Sequence, residues 1–112
     1  MPADDDEWYA VRCVFRWADA GGTPFEERIT LWRAGSLDAA TELAEREARE
    51  YAEAAGVTYL RFAQAYALRE RGEIRPGAEV FSLLRGSSLP PSEYLDAYFD
   101  DGREHQRDSA AG

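Results

Sequence analysis

The sequence predicts an α+β fold, a two-layer sandwich in which one long helix covers a mainly antiparallel four-stranded sheet. Two observations predict it. Residues 36–56 carry an apolar stripe with helical spacing, and the segments on either side of this helix alternate with the period of a strand. The predicted order is β-β-α-β-β, followed by a short C-terminal helix. Because a helix with one apolar stripe must bury it, we expect the sheet to lie beneath it.

The first two predicted strands, residues 8–17 and 25–34, form an antiparallel hairpin, since only the turn-forming residues 19–24 separate them. Every odd position of the first strand is apolar or aromatic: Tyr9, Val11, Cys13, Phe15 and Trp17. In the second strand we expect one parity, Phe25, Ile29 and Leu31, to face the helix. The opposite parity, Glu26, Arg28 and Thr30, is then expected to face solvent.

The helix has a start signal and a stop signal. Ser36 can accept a hydrogen bond from a free N–H of the first turn, and Gly56 permits the left-handed backbone that ends many helices. The predicted buried stripe consists of Leu37, Ala40, Ala44, Ala48, Tyr51 and Ala55. These residues recur at three- and four-residue steps.

Two further strands are predicted after the helix. Residues 57–69 begin with β-branched and aromatic side chains, which favours a strand over the competing helix, and residues 78–85 give the fourth strand. Residues 93–100 then form a short amphipathic helix. We expect one domain over residues 8–100, with an acidic flexible arm at 1–7 and a flexible tail at 101–112.

Composition excludes several classes of function. The formal net charge of the 112-residue chain is −9, which disfavours binding to nucleic acid, and the chain has no apolar stretch long enough to predict a membrane span. The N-terminal residues are acidic, the reverse of a leader sequence, and Cys13 is the only cysteine. We therefore expect a cytoplasmic protein.

Several segments resemble a family of small bacterial domains of unknown function, the one numbered four-two-eight-eight. They are WY at residues 8–9, FEERI at 25–29, AGSLDAA at 34–40, AEREA at 44–48 and GAEVFS at 77–82. The resemblance covers roughly residues 8–86, and its most specific part is the segment at 77–82. It implies a prokaryotic origin and supports the predicted order of elements, but it implies no activity and no functional residues.

No set of residues predicts catalysis, a metal site or a cofactor. His105, the only histidine, lies in the expected tail, and Cys13 alternates with apolar residues as a small buried side chain does. Two carboxylates are the candidate functional groups. Glu27 shares its parity with the residues expected to face the helix, where it would need an arginine partner, and Glu79 lies in the predicted fourth strand.

Large apolar residues are also expected on the sheet face opposite the helix, where a soluble monomer usually has polar side chains. The predicted interaction surface consists of Trp8, Val14, Trp32, Phe81 and Leu83. Three covers for it compete: the segment at 94–99 of the same chain, a second copy that forms a homodimer, and a small ligand or another protein.

The function that we expect is a non-enzymatic protein-interaction module that self-associates through this aromatic face. A second hypothesis is an acidic inhibitor or immunity-type protein that binds a basic partner, and it is based on the charge and the small size. A third is a small-molecule binder that uses Glu27 or Glu79 with arginines in a cleft between sheet and helix.

Overall fold

A computed structural model describes residues 6–18 and 24–99. Its elements, in chain order, are β1 (Glu7–Arg16), β2 (Phe25–Ala34), α1 (Leu37–Ala55), β3 (Thr58–Ala67) and α2 (Pro91–Tyr98). The α+β class is confirmed, as are the hairpin, the long helix, the strand that follows it and a short helix near the C-terminus.

The sheet in the described residues has three antiparallel strands in the order β2-β1-β3. The predicted fourth strand is wrong, because residues 78–85 belong to no helix or strand. Instead of pairing with a sheet edge, this part of the chain places Phe81 against side chains on a sheet face, 5.0 Å from the ring of Tyr66. Although residues 78–85 have β propensity, this part of the chain packs on the sheet through the Phe81 side chain and forms no backbone ladder.

Helix α1 has the predicted caps. Ser36 accepts a hydrogen bond from the backbone N–H of Ala39 at 3.0 Å, and Gly56 has a φ of 72°. The buried stripe differs from the prediction, since Leu37 is 47% exposed, Tyr51 and Ala55 are only half-buried, and Ala52 is buried. Leu37 is the first residue of the helix.

The core lies between α1 and the sheet. All four buried residues of the helix are alanines, and three half-buried alanines of β3 pack against the same cluster. Such small side chains let the helix backbone approach the sheet closely. The larger volumes come from Tyr9, Val11 and Phe15 on β1, which confirms the predicted alternation of this strand.

The predicted faces of β2 are reversed. Tyr9 is paired with Trp32 and Cys13 with Arg28, and directly opposed residues of an antiparallel pair point to the same side of the sheet. The even positions of β2 therefore face α1, and Phe25, Ile29 and Leu31 lie on the other side. A strand that is offset by one residue from its expected pairing presents the opposite set of side chains to the core.

The described residues divide into two compact units, between Ser82 and Leu83. The first contains the sheet and α1, and the second contains α2. The predicted tail at 101–112, the turn residues 19–23 and most of the predicted arm at 1–7 lie outside the described residues. The extent of a single domain over 8–100 stays a prediction.

Candidate interaction surface on the open sheet face

The sheet surface opposite α1, here called the open face, is defined by the strand register. On β1 it carries Trp8, Ala10, Arg12, Val14 and Arg16. Their partners on β2 are Arg33, Leu31, Ile29, Glu27 and Phe25, in that order. On β3 the open face includes Gln64 and Tyr66, which pair with Arg12 and Ala10.

Residues 70–81, here called the crossing segment, cover one end of the open face. The backbone N–H of Trp8 donates to the carbonyl of Glu70 at 2.7 Å, and the indole N–H of Trp8 donates to the carbonyl of Gly72. Arg33 lies over the Trp8 ring and donates from Nη2 to the carbonyl of Arg71 at 2.7 Å. These bonds hold the beginning of the crossing segment beside the ends of β1 and β2.

The end of the crossing segment packs on the middle of the sheet. The ring of Phe81 meets that of Tyr66 edge to face, and the Arg12 guanidinium lies 5.4 Å from the centre of the Phe81 ring. Arg12 also donates to Gln64 at 2.8 Å. Ala10, on the same face, is completely buried. This part of the open face therefore has an intramolecular cover.

The β2 side of the open face remains exposed. Phe25 is 63% exposed, Ile29 41% and Leu31 38%, and all three point to the same side of one edge strand. We call these three residues the apolar row. A row of large apolar side chains on an edge strand is unusual in a monomer, because edge strands are normally protected by charge, proline or bulges.

The structure places three of the five predicted surface residues on the open face: Trp8, Val14 and Phe81. Trp32 does not belong there. It lies on the α1 side, packs against the core, and donates its indole N–H to Thr30 at 2.7 Å. Leu83 belongs to the second unit and is 46% exposed.

The two candidate carboxylates do not lie in a cleft between sheet and helix. Glu27 is on the open face, where it forms an ion pair with Arg12 at 3.4 Å and its side chain is 62% exposed. Glu79 is an exposed residue of the crossing segment. A carboxylate that does face α1 is Glu26, one position away from Glu27, which accepts hydrogen bonds from Trp17 and Tyr51. Sequence reasoning missed it because the faces of β2 were reversed.

Charge is distributed unevenly between the two sides of the first unit. The open face carries Arg12, Arg16 and Arg33 but only Glu27 among the acidic residues of β1 and β2. The helix carries the acidic residues Asp38, Glu42, Glu45, Glu47, Glu50 and Glu53, with Arg46 and Arg49 as its basic residues. On β1 and β2, the open face therefore carries more arginines than carboxylates, in a chain with a net charge of −9.

On the α1 side, two weak acids are held in their neutral forms. Burial raises the pKa of the Cys13 thiol. Burial also raises the pKa of the Tyr59 phenol, as does the hydrogen bond of 2.7 Å that its hydroxyl donates to Glu45. A thiol of raised pKa is a poor nucleophile, which agrees with the interpretation of Cys13 as a small core residue.

These shifts predict a loss of stability in alkali. Because the folded protein binds the Tyr59 proton more tightly than the unfolded chain, the stabilisation is complete below the ordinary phenol pKa of about 10 and falls as the pH rises above it. The raised pKa of Cys13 causes a loss of stability in the same direction. This loss begins at a lower pH, because a thiol ordinarily ionises at a lower pH than a phenol. We expect the urea concentration at half-unfolding to decrease as the pH is raised from about 8 to about 11. Tyr59→Phe should make this decrease smaller. Tyr98→Phe, at a tyrosine that is 47% exposed, is the matched control and should leave the decrease unchanged.

No group of three His, Cys, Asp or Glu side chains within residues 6–18 and 24–99 is placed to hold a metal ion. In the same residues, no helix has the combined length and apolar content that crossing a bilayer requires. Comparison of the chain with protein-family models, with curated proteins and with solved structures gave no match. The resemblance to the bacterial domain family therefore stays a prediction.

Proposed function

We propose that this protein is a non-enzymatic interaction module that self-associates through its open face. The observation that supports this proposal best is the apolar row, Phe25, Ile29 and Leu31, exposed along edge strand β2. Removing the remaining exposed surface of each side chain from water contributes roughly 2 kcal/mol. A second copy has the same apolar row, so one contact between the copies removes surface of both rows from water.

The crossing segment already covers part of the open face, so the proposed contact surface is smaller than the predicted one. Trp8 and Phe81, which were predicted to belong to it, already have intramolecular partners. Trp8 donates to Gly72 of the crossing segment, and Phe81, at the end of that segment, packs on Tyr66 of β3. The contact that we propose is therefore displaced toward β2. Glu27 lies within this β2 surface, and Val14, its partner in the register on β1, borders it.

The proposal keeps the remaining sequence-based expectations: a bacterial, cytoplasmic protein that binds another protein or a second copy of itself, and neither nucleic acid nor membrane. The inhibitor-type alternative also stays a prediction. The small-molecule alternative loses its basis, because Glu27 and Glu79 do not line a cleft between sheet and helix.

Substitution in the apolar row tests the proposal. We expect the wild-type chain to sediment as a dimer at micromolar concentration, and Leu31→Glu to raise the dissociation constant about 100-fold, because each dimer would bury two unpaired carboxylates. The measurement is sedimentation velocity over a dilution series.

Leu37→Glu is the matched control, since Leu37 is exposed to a similar degree, 47%, but lies at the start of α1. It should dimerise as the wild type does. A wild-type chain that remains monomeric, or a Leu31→Glu variant that dimerises as tightly as Leu37→Glu, would show that the apolar row is not a self-association surface.

A further inference from the structure

The two edges of the sheet differ in their capacity to accept another strand. β3 contains an irregularity between the pairs Cys13–Ala63 and Phe15–Tyr59, and within it Arg61 has a left-handed φ of 60°. Such bulges interrupt an edge and hinder further pairing. β2 pairs without interruption from Phe25 to Ala34, and in the described residues its only strand partner is β1. The uninterrupted edge is the one that carries the apolar row.

We propose that the second copy adds to this edge, so that β2 pairs antiparallel with its own copy about a two-fold axis at Thr30. This inference rests on the proposed self-association and specifies its geometry: the contact lies along the β2 edge of the open face, where the apolar rows of the two copies lie side by side and shelter each other laterally. Two three-stranded sheets would join into one sheet of six strands, with both helices on the same side. Because the axis passes through Thr30, each residue before Thr30 lies opposite the residue of the second copy that is equally far after it.

The side chains of β2 are self-complementary in this register. On the open face, Glu27 lies opposite Arg33 of the second copy, and Ile29 lies opposite Leu31 of the second copy. The symmetry gives two opposite-charge pairs and two apolar pairs. Directly opposed side chains of these types are the ones that stabilise antiparallel pairing.

Neighbouring registers lack this match. Centring on Arg28 places the two Arg28 side chains opposite each other and Glu27 opposite Ile29, and like charges in that position are destabilising. Centring on Ile29 places Glu27 opposite Leu31, and centring on Leu31 places Ile29 opposite Arg33. Pairing about Thr30 is the register that joins Glu27 to Arg33. Within each copy, Glu27 also contacts Arg12 at 3.4 Å, and Arg33 also donates to the carbonyl of Arg71.

Two charge reversals and their mixture test the register. Glu27→Arg alone places arginines opposite each other in the homodimer, and Arg33→Glu alone does the same with glutamates. We expect each variant to dimerise at least about tenfold more weakly than the wild type at low ionic strength. An equimolar mixture of the two variants restores both opposite-charge pairs, and we expect it to form a heterodimer close to wild-type affinity.

The mixture separates the register from effects within one chain, such as the repulsion of Arg12 that Glu27→Arg introduces, because both proteins keep their own substitution. Controls that reverse one charge on an exposed part of α1, Glu50→Arg and Arg49→Glu, should dimerise as the wild type does. Circular dichroism checks that every variant is folded, and sedimentation velocity with one labelled partner measures heterodimer formation.

The outcomes distinguish the two proposals. Weak homodimers whose mixture recovers affinity support pairing about Thr30. A wild-type dimer with no gain on mixing overturns this register but leaves self-association through the open face in place, for example with the sheets packed face to face. A monomeric wild type overturns both.

Discussion

We expect Phe15→Ala to lower the free energy of unfolding by about 3–5 kcal/mol, the largest effect of any single truncation within residues 6–18 and 24–99. Among the described residues, Phe15 is the largest side chain that is completely buried. Its ring meets Tyr51 of α1 edge to face at 5.0 Å and Tyr59 of β3 at 5.4 Å. Truncation therefore removes contacts to two other elements at once and leaves a cavity.

Collapse of the structure around this cavity is restricted by the residues that surround it. The side chains of Tyr51 and Tyr59 are anchored by hydrogen bonds to Glu26 and Glu45, so neither ring can move into the space without breaking a bond. Sites that cannot relax lie at the upper end of the range for such substitutions.

Urea denaturation measures the loss, and Phe25→Ala is the matched control because it deletes the same atoms from a side chain that is 63% exposed. Both substitutions are made in the Leu31→Glu background, so that self-association does not add to the measured stability. We expect less than about 1 kcal/mol for Phe25. Similar losses at the two positions would contradict the placement of Phe15 at the centre of the core.

The parts of this fold that could be predicted are those specified locally. Ser36 and Gly56 mark the ends of α1 because capping depends on a few adjacent residues. The faces of β1 could be predicted because its odd positions from Tyr9 to Phe15 are all apolar or aromatic, so only one orientation buries them.

The faces of β2 could not be predicted in the same way, since both parities contain apolar and charged residues. Phe25, Ile29 and Leu31 suggested one orientation, but pairing with β1 places Trp32 beside Tyr9 and aligns the opposite parity with the helix. Which side chains of β2 face the helix depends on the register between strands, which is a non-local property. A polar side chain on the buried side was a further obstacle, because Arg28 is acceptable there only with the partners that α1 supplies.

The candidate surface was partly predictable for the same reason. Large apolar residues were expected on both sheet faces, and Trp8, Val14 and Phe81 do lie opposite α1. The contacts of the crossing segment with Trp8, and of its Phe81 with Tyr66, could not be predicted, because side-chain packing between distant segments leaves no periodic signal. The apolar row was assigned to the core and is instead exposed.

Arg28→Met is expected to lower the free energy of unfolding by about 2 kcal/mol, the second largest effect. The Arg28 guanidinium donates two hydrogen bonds to Glu47 of α1, both at 3.1 Å, and lies 3.7 Å from the centre of the Tyr51 ring. Methionine retains much of the apolar stem but removes the charge. It leaves Glu47, whose side chain is only 32% exposed, without the cation that it faces.

Arg46→Met is the control for this substitution. Arg46 is exposed on α1, and we expect a change of less than about 0.5 kcal/mol in urea denaturation.

A double-mutant cycle separates the ion pair from the packing of the stem. Most of the cost of Arg28→Met comes from the carboxylate left behind, so removing Glu47 as well should recover part of the stability. We expect Arg28→Met with Glu47→Leu to be more stable than the sum of the two single losses by about 1 kcal/mol. Strict additivity would mean that the paired geometry contributes nothing, and that Arg28 stabilises the helix–sheet contact only through its position over Tyr51. The cycle thus decides whether charge pairing or the aromatic contact keeps Arg28 and the other even positions of β2 on the side of α1.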